Sequence, residues 1–175
     1  RIISFRDYNH DMDRSMESTR FFELPEEKEK FERAMKSITV FGGGDDAESS
    51  LEALAYAIRS DWRATTDRYR QVIVLWTDDE PHPLNDRSYQ RNIYSSLPNN
   101  DPARYYPSRE LPRDLSELCD WWEDPDLGYI DQTGKRLLLF SPLQVEGTSG
   151  PKASYAWGEI RDWSNVIHRN VSSTG

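Results

Sequence analysis

The chain is expected to fold as an α/β domain, an open, mostly parallel, doubly wound sheet with helices on both faces. Three observations point there. Strand-like and helix-like segments alternate along the sequence, as they do in repeated crossover units. Two strand candidates, residues 71–77 (QVIVLWT) and 136–141 (RLLLFS), are apolar almost without interruption, as strands covered on both faces are. Acidic loops follow strand candidates at 42–48 and 77–82, on the edge where such sheets gather their ligands.

Taken in order, residues 2–5 (IISF) read as a short strand and residues 7–20, polar and rich in Asp, as a loop. Leu24, Pro25, Glu26 and Glu27 make a helix start, because proline suits the first turn and acids favour the positive end of the helix dipole. That helix runs to about Lys36, with Phe31, Ala34, Met35 and Ile38 at helical spacing. Residues 38–41 (ITVF) read as a strand closed by Gly42, Gly43 and Gly44. In the helix that follows, Leu51, Leu54, Ala55, Ile58 and Trp62 share one stripe.

Residues 71–77 form the strongest strand candidate, expected at the centre of the sheet. Residues 81–112 hold six prolines and are too long for an ordinary connection, so they read as a functional loop or a partly disordered insert. A third helix spans 114–122, with Leu115, Leu118, Cys119 and Trp122 on one face, and 136–141 is the second buried-type strand. After a polar linker at 147–152, residues 156–164 read as an amphipathic helix through Trp157, Ile160 and Trp163. Val166 and Ile167 make a last short strand. The paired Trp121 and Trp122, with Trp157 and Trp163, read as core.

Composition bounds the function. Only 36% of residues are hydrophobic and 30% are charged, yet six Trp, nine Tyr and six Phe give the chain what it needs for a core. A net charge of −9 excludes a general nucleic-acid binder, which needs clustered Lys and Arg. No apolar run approaches the roughly 18 residues of a membrane span. The single Cys119 excludes an internal disulfide framework or a multi-cysteine metal site and fits a cytoplasmic protein. At 175 residues the chain is read as one domain, 1–175, truncated at both ends, with the proline-rich insert at 81–112.

The chemistry sits in the two acidic loops. One reads Gly42-Gly43-Gly44-Asp45-Asp46-Ala47-Glu48-Ser49-Ser50, between a strand and a helix; the other reads Thr77-Asp78-Asp79-Glu80-Pro81-His82. Carboxylates and a hydroxyl without a thiol or a histidine pair suit Mg²⁺, Mn²⁺ or Ca²⁺ rather than zinc. Each residue also has an ordinary structural use. The glycines suit a tight turn, Asp45 or Asp46 a helix cap, and Glu48 the first turn of a helix. Asp79 and Glu80 read as solvated, and the lone His82 as structural. Enzyme signatures are weak: the glycine run lacks a Gly-Lys-Ser/Thr ending, and there is no Gly-x-Ser-x-Gly elbow.

The stretch GGGDDAESSLEALAYAI followed by VIVLWTDDEPHPL resembles the von Willebrand factor A domain, in the bacterial branch bearing a GGGDxxE loop. The Asp-x-x-Glu step is also similar to a loop of integrin β-subunit inserted domains. IISFRDY and KRLLLFSP match the family's strands more loosely.

The resemblance implies a metal-ion-dependent adhesion site in a cytoplasmic protein-binding module that is not an enzyme. The metal, Mg²⁺ or else Mn²⁺ or Ca²⁺, is expected on Glu48 and Asp78, assisted by Asp45 and Thr77. The partner is a protein supplying a carboxylate, with no nucleic acid and no membrane involved. The family's Asp-x-Ser-x-Ser motif is absent from residues 1–175; Asp13, Ser15 and Ser18 have the wrong spacing. The first strand, which carries that motif, is therefore expected upstream. A Mg²⁺-dependent hydrolase or phosphotransferase and a metal-free docking scaffold are the competing readings.

Overall fold

The computed structural model describes residues 1–11, 15–39, 47–62, 69–84, 111–142 and 156–171. Its centre is a three-stranded parallel sheet of order β3-β4-β5, built from β3 (Gln71–Trp76), β4 (Lys135–Ser141) and β5 (Val166–Asn170). Register runs from Gln71 opposite Lys135 to Trp76 opposite Phe140, and from Leu137 opposite Val166 to Ser141 opposite Asn170. A separate antiparallel pair joins β1 (Ile3–Phe5) to β2 (Met16–Ser18). The helices are α1 (Tyr8–Asp11), α2 (Lys28–Ser37), α3 (Ser50–Ile58), α4 (Leu115–Glu123) and α5 (Ala156–Arg161). The chain is thus mixed α/β with a parallel sheet.

One face of that sheet is closed. Ile73 and Leu75 of β3 and Leu137 and Leu139 of β4 pack with Leu51, Leu54 and Ile58 of α3, Leu118 and Trp122 of α4, and Trp157 and Ile160 of α5. Burial of this many large apolar side chains, at about 1.5–3 kcal/mol each, is the main force holding the layers together. Helix α4 begins on a capping Asp114, whose Oδ1 accepts from the Glu117 N–H at 2.9 Å. On its flank Cys119 is half-buried; burial, followed by the charges of Glu123 and Asp120, raises its thiol pKa. Lys135, fully buried at the start of β4, donates from Nζ to the Trp122 carbonyl at 2.5 Å, Gln132 Oε1 at 2.6 Å and Glu123 Oε2 at 2.8 Å. Those bonds tie the end of α4 to the root of the strand that follows it.

The other face differs from the expectation of helices on both sides. Val72, Val74, Trp76 and Ile167 are exposed, with Trp76 62% open while its ring stacks on Phe140 at 4.9 Å. Among the described residues nothing covers this face. Burial alternates along β3, and among the described residues β3 pairs with β4 alone, which puts it at the edge of the described sheet rather than at the expected centre. Four further corrections are local. Residues 7–20, expected as loop, contain α1 and β2, the latter held by backbone pairing to β1 rather than by any pattern of its own. Trp62 lies beyond the end of α3, and its indole N–H donates back to the Ala57 and Ile58 carbonyls, satisfying the helix's last turn. The helix expected over 156–164 stops at Arg161, and β5 extends three residues past Ile167. The strand expected at 38–41 is absent at Ile38 and Thr39; residues 40–46 and 85–110 lie outside the described set.

Candidate metal centre

Three elements bring polar residues together at one end of the fold. The first is the exit of β1, where Arg6 and Asp7 are buried. The second is the start of α3, tied to β1 by the Ser49 N–H donating to the Arg6 carbonyl at 3.3 Å. The third is the segment after β3, from Thr77 to Leu84.

Glu48 joins the second to the third. Its N–H donates to the Glu80 carbonyl at 3.0 Å, its own carbonyl accepts from the His82 N–H at 3.0 Å, and it forms a parallel bridge with Pro81. Glu48, the last acid of the first loop, and the loop after β3 are therefore neighbours in space. His82 closes the arrangement, its Nε2 lying 3.1 Å from Asp7 Oδ1, while His10 Nε2 lies 3.4 Å from Asp7 Oδ2.

Of the expected ligands, Thr77 is buried, its N–H paired to the Phe140 carbonyl at 2.9 Å and its hydroxyl turned to the Asp79 carbonyl at 3.3 Å. That turn fixes the loop. The Asp79 carbonyl also accepts from the Trp157 indole at 3.2 Å, which anchors the loop to α5. Asp78, between them, is exposed at the tip. Glu48 is half-buried. Asp45 lies outside the described residues.

Sequence reasoning missed two acids here. Asp7, in the stretch expected as loop, is buried and paired to two histidines. Glu52, in the first turn of α3, is fully buried, and neither carboxylate oxygen meets a donor from another described residue. Burial, with a smaller contribution from the charge of Asp7, pushes its pKa up to about 8. At neutral pH Glu52 therefore carries a proton. The signal was available: Glu52 is the lone charged residue in SLEALAYAI, a helix buried on nearly every side, where a charge has no route to water. His82, read as structural, has the partner that such a reading requires.

Carboxylate, hydroxyl and carbonyl oxygens suit a hard cation in kind. Among the described residues, no three His, Cys, Asp or Glu side chains converge as a metal-holding group. A cation at this end would need hydroxyl or carbonyl donors beyond Glu48, Asp78 and Thr77. Comparisons of the chain with protein-family models, with curated proteins and with solved structures gave no match. Among the described residues, no helix is long and apolar enough to cross a membrane.

Proposed function

We propose that the chain is a von Willebrand A-like, divalent-cation-dependent protein-binding module that captures an acidic side chain of a partner protein. The observation that carries this reading is the junction at Glu48, where two backbone bonds of 3.0 Å set this residue against the acidic loop that follows β3. Glu48 and Asp78 would hold the cation, with Asp45 and the Thr77 hydroxyl assisting, and Mg²⁺ or Mn²⁺ suits these oxygens. A bound ion would supply Lewis acidity toward a carboxylate. The protein's own part is to position the donors: the Thr77 turn and the Trp157 bond hold the loop that presents Asp78 to solvent. Few charged donors leave such an ion under-neutralised, so an incoming carboxylate completes it. No nucleophile or proton shuttle is called for, which separates this reading from the hydrolase. The doubly wound sheet and a cytoplasmic location belong to the same proposal, the latter supported by the single cysteine.

Calorimetric titration of the native full-length chain with MgCl₂ and MnCl₂ tests it. Binding heat is expected, and Asp78→Ala weakens the affinity by about tenfold or more, a loss of about 1.4 kcal/mol at least. Absence of heat, or partner capture indifferent to EDTA, would turn the assignment toward a metal-free scaffold. Turnover of a phosphoester abolished by Asp78→Ala would turn it toward the hydrolase.

A further inference from the structure

Two adjoining grooves lie at the end of the sheet where β3 and β4 begin, opposite the candidate metal centre. One, of about 560 Å³, is lined by Trp62, Tyr69 and Tyr129 together with Asp61 and Asp131. The other, of about 360 Å³, is lined by Trp121, Leu127 and Tyr129 together with Glu117, Asp120 and Asp124. Tyr129 belongs to both and stands at their border.

The hydroxyls and amides of the larger groove are spent on the protein itself. Thr133 Oγ1 donates to Asp131 Oδ1 at 2.7 Å, Gln132 Nε2 to the Trp122 carbonyl at 3.0 Å, and Ser60 Oγ to the Tyr56 carbonyl at 3.2 Å. A polyhydroxyl ligand is therefore poorly matched; ring faces and negative charge are what the lining offers. Across both grooves five carboxylates stand against one guanidinium, that of Arg113, which lies 3.0 Å from Glu117. Asp131 is firmly ionised, because the Thr133 hydroxyl and the Gly134 N–H hold its carboxyl below the usual carboxylate range. Among the described residues no three of these acids converge as a metal-holding group. Rings beside carboxylates suit an organic cation, and a guanidinium best, since it stacks on a ring while its edge donates to a carboxylate. The chain already makes the ring contact with its own Arg59, whose guanidinium carbon lies 4.7 Å from the Tyr129 ring centre and 5.0 Å from that of Trp121.

We propose that the paired grooves dock a basic segment of a partner protein, with one arginine side chain in each groove, on either side of Tyr129. Charge complementarity selects this occupant. A net charge of −9 draws a basic segment toward the chain, and the carboxylates of the two grooves hold it there. The rings then separate arginine from lysine, whose compact ammonium does not stack. The surface lies at the strand starts, whereas Glu48, Thr77 and Asp78 lie beyond the strand ends, so the docking does not depend on whether a cation binds there.

Fluorescence anisotropy of the native full-length chain in EDTA at low salt tests it. The probes are labelled glycine–serine peptides carrying two arginines about one to four residues apart. Saturable binding is expected, weakened by about fivefold or more in the double variant Asp120→Asn, Asp131→Asn, which takes one charge from each groove and leaves residue 131 its acceptor oxygen. The double variant Glu29→Gln, Glu32→Gln removes the same charge from exposed positions of α2 and should change the affinity by less than about twofold. Thermal midpoints close to the parent's confirm that both variants fold. Absence of binding, or equal losses from the two variants, overturns the proposal; equal losses would mean attraction to net charge alone. Lysine in place of arginine should weaken the peptide by about threefold, and equal affinity refutes the part given to the rings. A peptide with a single arginine that binds as tightly refutes the seating of two side chains and leaves a site for a small organic cation. EDTA is present throughout and neither variant alters Glu48 or Asp78, so failure here and failure of the cation titration are distinguishable.

Discussion

Replacing Glu52 by Gln gives the most informative single perturbation. The carboxyl titrates at about 4.5 when exposed and at about 8 in its buried site. The native pKa is raised, so the folded chain holds the proton more tightly than the unfolded chain. That contribution to stability is complete below about pH 4.5 and is lost as pH rises through about 8. Each pH unit across the gap is about 1.36 kcal/mol, so the parent loses about 2.5 kcal/mol from this group between pH 5 and pH 7. Gln cannot ionise and has nearly the same volume. Its amide still lacks partners, which costs about 1–3 kcal/mol at every pH, so the absolute difference at one pH is a poor measure. The pH dependence of the difference is the clean one. Urea denaturation of parent and Glu52→Gln at pH 5, 6 and 7 should show the variant gaining about 2.5 kcal/mol on the parent over that range. A constant difference would refute the reasoning and would mean that Glu52 is ionised at neutral pH with a counter-charge.

Three other outcomes are expected. Lys135→Met removes a buried ammonium from three oxygen acceptors and should cost about 3 kcal/mol in urea denaturation, despite the apolar volume retained. His82→Ala takes away a group 3.1 Å from buried Asp7; a loss of about 2 kcal/mol is expected, together with faster amide exchange at Glu48, whose carbonyl the 82 N–H holds. Asp114→Ala should cost about 1 kcal/mol by uncapping α4, read as a lower thermal midpoint with the far-ultraviolet spectrum retained.

Much of the architecture was legible from periodicity. The apolar runs at 71–77 and 136–141 are paired parallel strands, and the stripes through Leu51 and Leu118 are core helices. Glu48 and the loop after β3, separated by some thirty residues of sequence, meet because strand ends and helix starts share one edge of an open sheet. What was illegible has physical causes. A run such as QVIVLW looks the same whether both of its faces are covered or one is bare, since hydrophobicity records what a face prefers rather than what lies on it. β2 is three residues, MES, specified entirely by its neighbour's backbone. Asp7 is a buried acid set between His10, three residues on, and His82, far off in sequence, and only the fold brings the second of these to it. Glu52 was readable only by treating α3 as buried all round, whereas the amphipathic stripe had suggested one wet side.

Cys119 has a practical consequence. Its thiolate is disfavoured by burial and by the acids around it, and the thiolate is the form that alkylating reagents attack. At neutral pH a maleimide or a spin label will therefore prefer a cysteine introduced at an open position such as Asp78 over the native one. Probes for distance or fluorescence measurements can be attached one at a time without first removing a side chain from the flank of α4.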